Sequence, residues 1–233
     1  MKVVGLVQAR MGSTRLPSKV LKPLAGRPLV GHIFDRLRAT AGVDALVLAT
    51  TTDARNDPLV AFAALEGVLA FRAVGEDDIA ERLAGAMRLA SADAILKVNG
   101  DCPLVDPAIL ASLVGRFRTG NVDYVSNKIR WTWPEGLSAE VIGRAPVEWC
   151  DANLRTAQDR EFMANLIRDD RTRFRVASLE GPQDLTRYKW SVDTAEDLAE
   201  VEAIFDALWP SNPLFGLTEI LAHIEHRAGA TQP

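Results

Sequence analysis

Residues 1–24 read MKVVGLVQARMGSTRLPSKVLKPL. The run 2–9 is apolar and valine-rich on both alternating faces, the pattern of a strand buried on both sides in a parallel sheet. A loop follows. Between Arg10 and Lys19 it gathers the cations Arg10, Arg15 and Lys19, a Gly12-Ser13-Thr14 step and Pro17. Glycine lets the backbone approach an anion, hydroxyls and bare N–H groups donate to it, and cations neutralise it, so the loop has the make-up of a polyphosphate site. A solvated basic turn between two strands would account for the charges but not for their order around Gly-Ser-Thr.

Downstream, Ala25-Gly26-Arg27-Pro28 predicts a turn with Pro28 at the first position of a helix over 29–40, with Leu29, Ile33 and Leu37 on one face. Residues 44–51 (DALVLATT) predict a second buried strand. Asn56-Asp57-Pro58 then caps a helix to about 66, and 68–73 form a third strand. Glu76-Asp77-Asp78 opens a helix to about 90, where Asp77, Asp78 and Arg82 read as capping and solvated-face residues; 94–98 form a fourth strand. Such β-α alternation implies right-handed crossovers, a parallel sheet and a ligand at the carboxyl ends of its strands. The first loop lies at that edge.

Asp101 follows the fourth strand between Gly100 and Pro103, a rigidly placed carboxylate suited to metal binding or catalysis. Asp106, just before Pro107, serves better as the helix cap, which leaves Asp101 free. From 121 the texture changes to short strands (122–126, 139–143), helices (146–153, 157–168) and a strand at 174–179. About 121–180 therefore reads as a substrate-side lobe inserted between sheet strands and suited to a dimer contact. Residues 187–197 (RYKWSVDTAED) return to buried-strand character and lead into a helix to about 209. Thr194 and Asp197 have capping-box spacing, so Asp193 is not needed as a cap. The stretch 216–226 predicts an amphipathic helix and 228–233 a frayed end.

At 233 residues the chain suits one large α/β domain, and 48% hydrophobic with 25% charged residues excludes a disordered or fibrous class. A net charge of −4 gives no general attraction to nucleic acid or to an anionic membrane, so neither is expected as a partner and the basic loop is a local feature. No apolar run approaches the roughly eighteen residues of a membrane span, and no signal peptide is evident, so the expected location is the cytoplasm. Cys102 and Cys150 read as buried thiols, and His32, His223 and His226 do not form a metal pattern.

The stretch QARMGSTRLPSKVL resembles the R-x-x-S-T-R-L-P-x-K signature of the cytidylyltransferases that activate acidic sugars, and is most similar to their SpsF-like branch. VNGDCPLVDP resembles the family's GDxPLIDP, and SVDTAED its V-D-T-x-E-D. FRAVGEDDIAERL is similar to a family segment that helps hold base and ribose. PEGLSAEV and AQDREFMANLI resemble two further segments, with Ser138 in place of Asp and Phe162, Ala164 and Asn165 in place of His, Thr and Pro. Ser191 stands where sialic-acid enzymes carry a further Asp.

The resemblance implies a Rossmann-like, GT-A-like nucleotidyltransferase fold of three layers, with a mixed, mostly parallel sheet, in one domain over 1–233. It implies nucleotide contacts from Gln8, Ala9, Arg10, Gly12, Ser13, Arg15, Lys19, Arg72, Asn99 and Asp101, with Lys19, Arg15 and Asp101 catalytic. Asp101 and Asp193 would hold Mg²⁺, and Glu140, Arg160, Glu161 and Lys189 would contact the acceptor. The implied reaction is CMP transfer from CTP to an acidic sugar or similar anionic acceptor, in a homodimer serving surface polysaccharide synthesis. From residue chemistry alone the reading is a Mg²⁺-dependent nucleotide enzyme. The alternatives are another nucleoside triphosphate, a phosphonate or phosphopolyol acceptor, or a non-catalytic nucleotide-sugar-binding homologue.

Overall fold

The computed structural model describes residues 1–230. In chain order it comprises β1 (Val3–Gln8), a short hairpin β2 (Pro23–Leu24) and β3 (Arg27–Pro28), α1 (Leu29–Arg38), β4 (Ala45–Thr51), α2 (Asp57–Leu65), β5 (Leu69–Ala73), α3 (Ile79–Leu89), β6 (Ala94–Asn99), α4 (Pro107–Thr119), β7 (Tyr124–Ser126) and β8 (Glu140–Gly143). There follow α5 (Arg144–Asn153), α6 (Ala157–Glu161), α7 (Met163–Asp169), β9 (Val176–Ser178), α8 (Ala195–Leu208) and α9 (Leu217–Ala230).

One seven-stranded sheet runs β5-β4-β1-β6-β8-β7-β9. β1 pairs in parallel with β4 and β6, and β4 with β5; β8 runs antiparallel to β6 and β7, while β9 is parallel to β7. The chain leaves β1 toward β4 and β5, then returns to β6 on the other side. β1 and β6 therefore flank the topological switch point, where α/β sheets bind ligands. Their register pairs Gln8 with Asn99, so the two following loops start side by side.

Alternation along β1 sends Val3 and Val7 into a core with α1, α2, α4, α8 and α9, and Val4 and Leu6 into a second core with α3, α5 and α7. The result is the expected three-layer α/β fold. Gly100 allows the two switch-point loops to touch, since a Cβ there would lie 2.5 Å from Ala9 Cβ. Among the described residues no helix is long and apolar enough to cross a membrane. Cys102 and Cys150 are buried free thiols.

Several local expectations are corrected. The β2–β3 hairpin holds Pro28 extended, so α1 starts at Leu29. Asn56 does not cap α2 with its side chain; it donates to Thr51 Oγ1 and accepts from the Met11 amide, bracing the first loop. Arg82 is 2% exposed rather than solvated. The helix expected over 157–168 breaks at Phe162 (φ −100°, ψ 25°) into α6 and α7. The frayed end expected over 228–233 does not begin at 228, because α9 reaches Ala230; the rest of that expectation, 231–233, lies outside the described residues.

Residues 187–197 contain no ladder strand. Trp190 and Val192 are buried as in a strand, but their backbone partners are loops: Trp190 N donates to Glu135 O and Val192 N to Asp101 O, at 2.7 and 2.8 Å. Gly136 (φ +99°) makes this path possible, for a Cβ there would lie 2.5 Å from the Trp190 carbonyl carbon. The consequence is functional. Asp193 is delivered beside Asp101.

Candidate active site

A cavity of about 440 Å³ opens at the carboxyl ends of β1 and β6. The end of β1 and its loop give one wall through Gln8, Ala9, Arg10, Gly12, Ser13, Thr14, Arg15 and Lys19. Asn99, Gly100, Asp101 and Asp193 give a second, and Glu76, Asp77, Ile79 and Arg82 a third, with Glu161 and Phe162 at the α6–α7 break.

The first loop is folded on itself. Ser13 N and Ser18 N both donate to Met11 O, and Leu16 N donates to Ser13 Oγ. Ser18 adopts φ 59°, which turns the chain into a single 3₁₀ turn starting at Lys19. That turn sends Lys19 back across the cavity floor. Its Nζ donates to Val192 O at 2.7 Å, Asp193 Oδ1 at 2.9 Å and Asp101 Oδ2 at 3.2 Å. Arg15 Nη2 stands 3.1 Å from the same Asp193 oxygen, from a more exposed position. Arg10 faces the other wall, 3.1 Å from Glu76 and 3.6 Å from Asp77.

Burial works to raise the Asp193 carboxyl, but Lys19, by hydrogen bond and charge, and then Arg15 hold it below the usual carboxylate range. Asp193 therefore stays ionised at neutral pH. The Cys102 thiol donates to Asp101 Oδ1 at 3.2 Å, and burial together with the Asp101 charge pushes it well above the ordinary thiol value. It serves as a neutral donor, not a nucleophile.

Asp101 and Asp193 converge on one ammonium nitrogen, so two hard oxygen donors already share a cation position. Among the described residues no group of three or more His, Cys, Asp or Glu is arranged to hold a metal. Two carboxylates without a full cage fit Mg²⁺, which keeps waters and takes substrate phosphate oxygens.

Other candidates lie elsewhere. Arg72 clamps the end of β5 to the loop after β4, donating to Thr51 O and Asp53 O at 3.1 Å and pairing with Asp57 at 2.7 Å. Glu140 is buried in the sheet against Lys97 and Tyr124, because β8 register sets it opposite Lys97. Arg160 ties α6 to Asp78 and Asp151, at 2.7 and 2.9 Å, and lines a second, smaller cavity. Lys189 pairs with Asp197 of the α8 capping box at 2.6 Å. Glu161 does line the main cavity.

Sequence reasoning missed Arg82 and the Val192 carbonyl. The Arg82 guanidinium donates to the carbonyls of Gly75 and Glu76, fixing the third wall. Its signal was present in the FRAVGEDDIAERL segment. A main-chain carbonyl leaves no side-chain signal.

A mostly parallel sheet carrying a cationic Gly-Ser-Thr loop after its first strand and a carboxylate after the adjacent strand defines a nucleotidyltransferase. The chain belongs to the cytidylyltransferase family, whose family model matches residues 4–140. It is 30% identical to the spore coat polysaccharide biosynthesis protein SpsF of Bacillus subtilis over 212 residues, covering 87% of this chain and 86% of that one. With the 3-deoxy-manno-octulosonate cytidylyltransferase of Anaeromyxobacter sp. it shares 37% identity over 120 residues, 51% of this chain and 48% of the relative. The solved structure of a cytidylyltransferase from Leptospira borgpetersenii superposes with a TM-score of 0.90 at 26% identity, covering 100% of this chain and 97% of that one.

Proposed function

We propose that this enzyme transfers CMP from CTP to an acidic sugar or similar anionic acceptor, releasing pyrophosphate, in the synthesis of a surface polysaccharide. The observation that carries this reading is the convergence of Lys19, Asp101 and Asp193 on one point of a cavity walled by the cationic first loop. An acceptor hydroxyl oxygen gives up its proton to solvent and forms a bond to the α-phosphorus as the bond from that phosphorus to the bridging oxygen of the β-phosphate breaks. Mg²⁺, held by Asp101 and Asp193, supplies neutralisation of phosphate charge when bound. Arg15, exposed at the cavity mouth, is suited to grip the outgoing phosphates, and Lys19 to meet charge that gathers on the α-phosphate. Gly12, Ser13 and the loop amides complete the cradle.

The same proposal has the enzyme working in the cytoplasm as a homodimer through the lobe at 121–180, a single-domain chain throughout. Support for a surface contact there is the exposure of Trp131, 44%. A panel of the four nucleoside triphosphates against acidic sugars, a phosphonate and a phosphopolyol, read by pyrophosphate release with Mg²⁺, tests the function. Release with CTP and an acidic sugar is expected. Release with another nucleotide or acceptor class moves the assignment to that class, and no release with any pair overturns catalysis.

A further inference from the structure

Lys97 lies directly opposite Glu140 across the antiparallel β6–β8 pair, and Asn99 follows Lys97 at the two-residue repeat that returns a side chain to the same face. Lys97 Nζ donates to Glu140 Oε1 at 2.7 Å and to Asn99 Oδ1 at 3.3 Å. The second Glu140 oxygen accepts from the Tyr124 hydroxyl. The Lys97 and Glu140 side chains are 13% and 10% exposed, and neither residue lines the cavity. Burial works to raise the Glu140 carboxyl, but the Lys97 charge and hydrogen bond, with the Tyr124 phenol, hold it below the usual range.

Such a buried pair is poor evidence of stability, since apolar residues of similar volume often do as well. Its effect on Asn99 is specific. An ammonium has donors and no acceptor, so of the two ends of the Asn99 amide the oxygen must face Lys97. The amide nitrogen is thereby turned away from Lys97. Asn99 lines the cavity beside Asp101, and its Nδ2 donates to no other described residue.

We infer that Lys97 is a positioning residue: anchored by Glu140, it locks the Asn99 amide so that its NH₂ faces the cavity as a donor to an oxygen of the bound nucleotide. The inference rests on the nucleotide-site reading above. Without the lock the amide is a two-fold rotor, and one of its orientations would turn a carbonyl oxygen toward an anionic ligand. One ligand hydrogen bond of this kind corresponds to about a twofold to tenfold change in affinity.

Lys97→Met alone would leave Glu140 buried and unpaired, so the test uses Lys97→Met/Glu140→Gln, in which Gln can still accept from Tyr124. The Asn99 side-chain amide is followed by ¹H–¹⁵N NMR, its signals identified by their loss in Asn99→Ala. CTP affinity with Mg²⁺ is measured for the wild type, Lys97→Met/Glu140→Gln, Asn99→Ala and the combination. The amide signals should shift and broaden in Lys97→Met/Glu140→Gln, with the CTP Kd raised about threefold to tenfold and no further rise on adding Asn99→Ala. Unmoved amide signals, or losses that multiply in the combined variant, would overturn the inference, because a merely structural Lys97 lowers Tm without acting through Asn99. Amide signals that respond in a protein that binds none of the four triphosphates would uphold the positioning role and remove the nucleotide reading.

Discussion

The loop after β1 and the lobe at 121–180 both carry charged residues in motif-like order, and they use them differently. In the loop, Lys19 and Arg15 share the Asp193 oxygen, and Lys19 also reaches Asp101, all facing a cavity. Around the lobe, Arg160 is held by Asp78 and Asp151, and Glu140 by Lys97 and Tyr124, within the fold itself. A shared, partly exposed cluster can exchange partners with a ligand. A buried closed pair resists exchange, since breaking it strands a charge. Motif order therefore marks a charged residue as constrained, and its partners decide whether the constraint is chemistry or architecture.

The largest separation of the two regions should come from the proposed metal pair. Asp101→Asn and Asp193→Asn are each expected to cut turnover by about a hundredfold to a thousandfold. Each change removes one negative charge beside Lys19 but keeps an acceptor oxygen, and the Val192 carbonyl and the other carboxylate still hold the ammonium, so Tm should move by no more than a few degrees. Steady-state pyrophosphate release and a thermal melt on the same samples check both. Glu140→Ala should act chiefly on stability, with only the modest rise in CTP Kd that follows from losing the Lys97 anchor. It strands the Lys97 ammonium, and a loss of about 3–5 kcal/mol of stability is expected in denaturant melts.

Arg160→Ala probes the same contrast at smaller scale. Removing a partly buried guanidinium that bridges α6, α3 and α5 should cost about 1–2 kcal/mol, while the CTP Kd changes by less than about threefold. A loss of CTP affinity without a loss of stability would move Arg160 into the site. Acid titration gives the finest distinction. Burial works to raise the Asp78 carboxyl, but the Arg160 hydrogen bond and charge hold it below the usual range, and Lys189 does the same for Asp197 against burial. Groups with depressed folded values stabilise above their unfolded values and lose that contribution as pH falls. Stability from these pairs should be flat from about pH 7 to 5 and decline below about pH 4, less steeply in Arg160→Ala. Urea melts across that range measure it.

The β-α alternation was legible because β1, β4, β5 and β6 are near-continuous apolar runs, and strand alternation fixes what lies on each face. The first loop and Asp101 were legible because each directly follows such a strand. The path of 187–197 was not. Trp190 and Val192 have the burial of strand residues, yet their hydrogen-bond partners are Glu135 and Asp101, far away in sequence. Side-chain pattern reports burial and is silent on which backbone is opposite. The same limit hid the pairings of Arg72, Glu140, Arg160 and Lys189, since each partner is fixed by register or loop geometry rather than spacing.

The most direct measurement is the nucleotide-induced shift in Tm, taken for CTP, ATP, GTP and UTP at one concentration, with and without Mg²⁺, in the wild type and Asp193→Asn. A ligand that binds the native state must raise Tm. CTP with Mg²⁺ is expected to give the largest rise in the wild type, and the rise should shrink when Mg²⁺ is omitted or Asp193 is replaced. Equal shifts for all four nucleotides, or a CTP shift indifferent to both Mg²⁺ and Asp193, would contradict a cytidylyl-transfer site built on Lys19, Asp101 and Asp193.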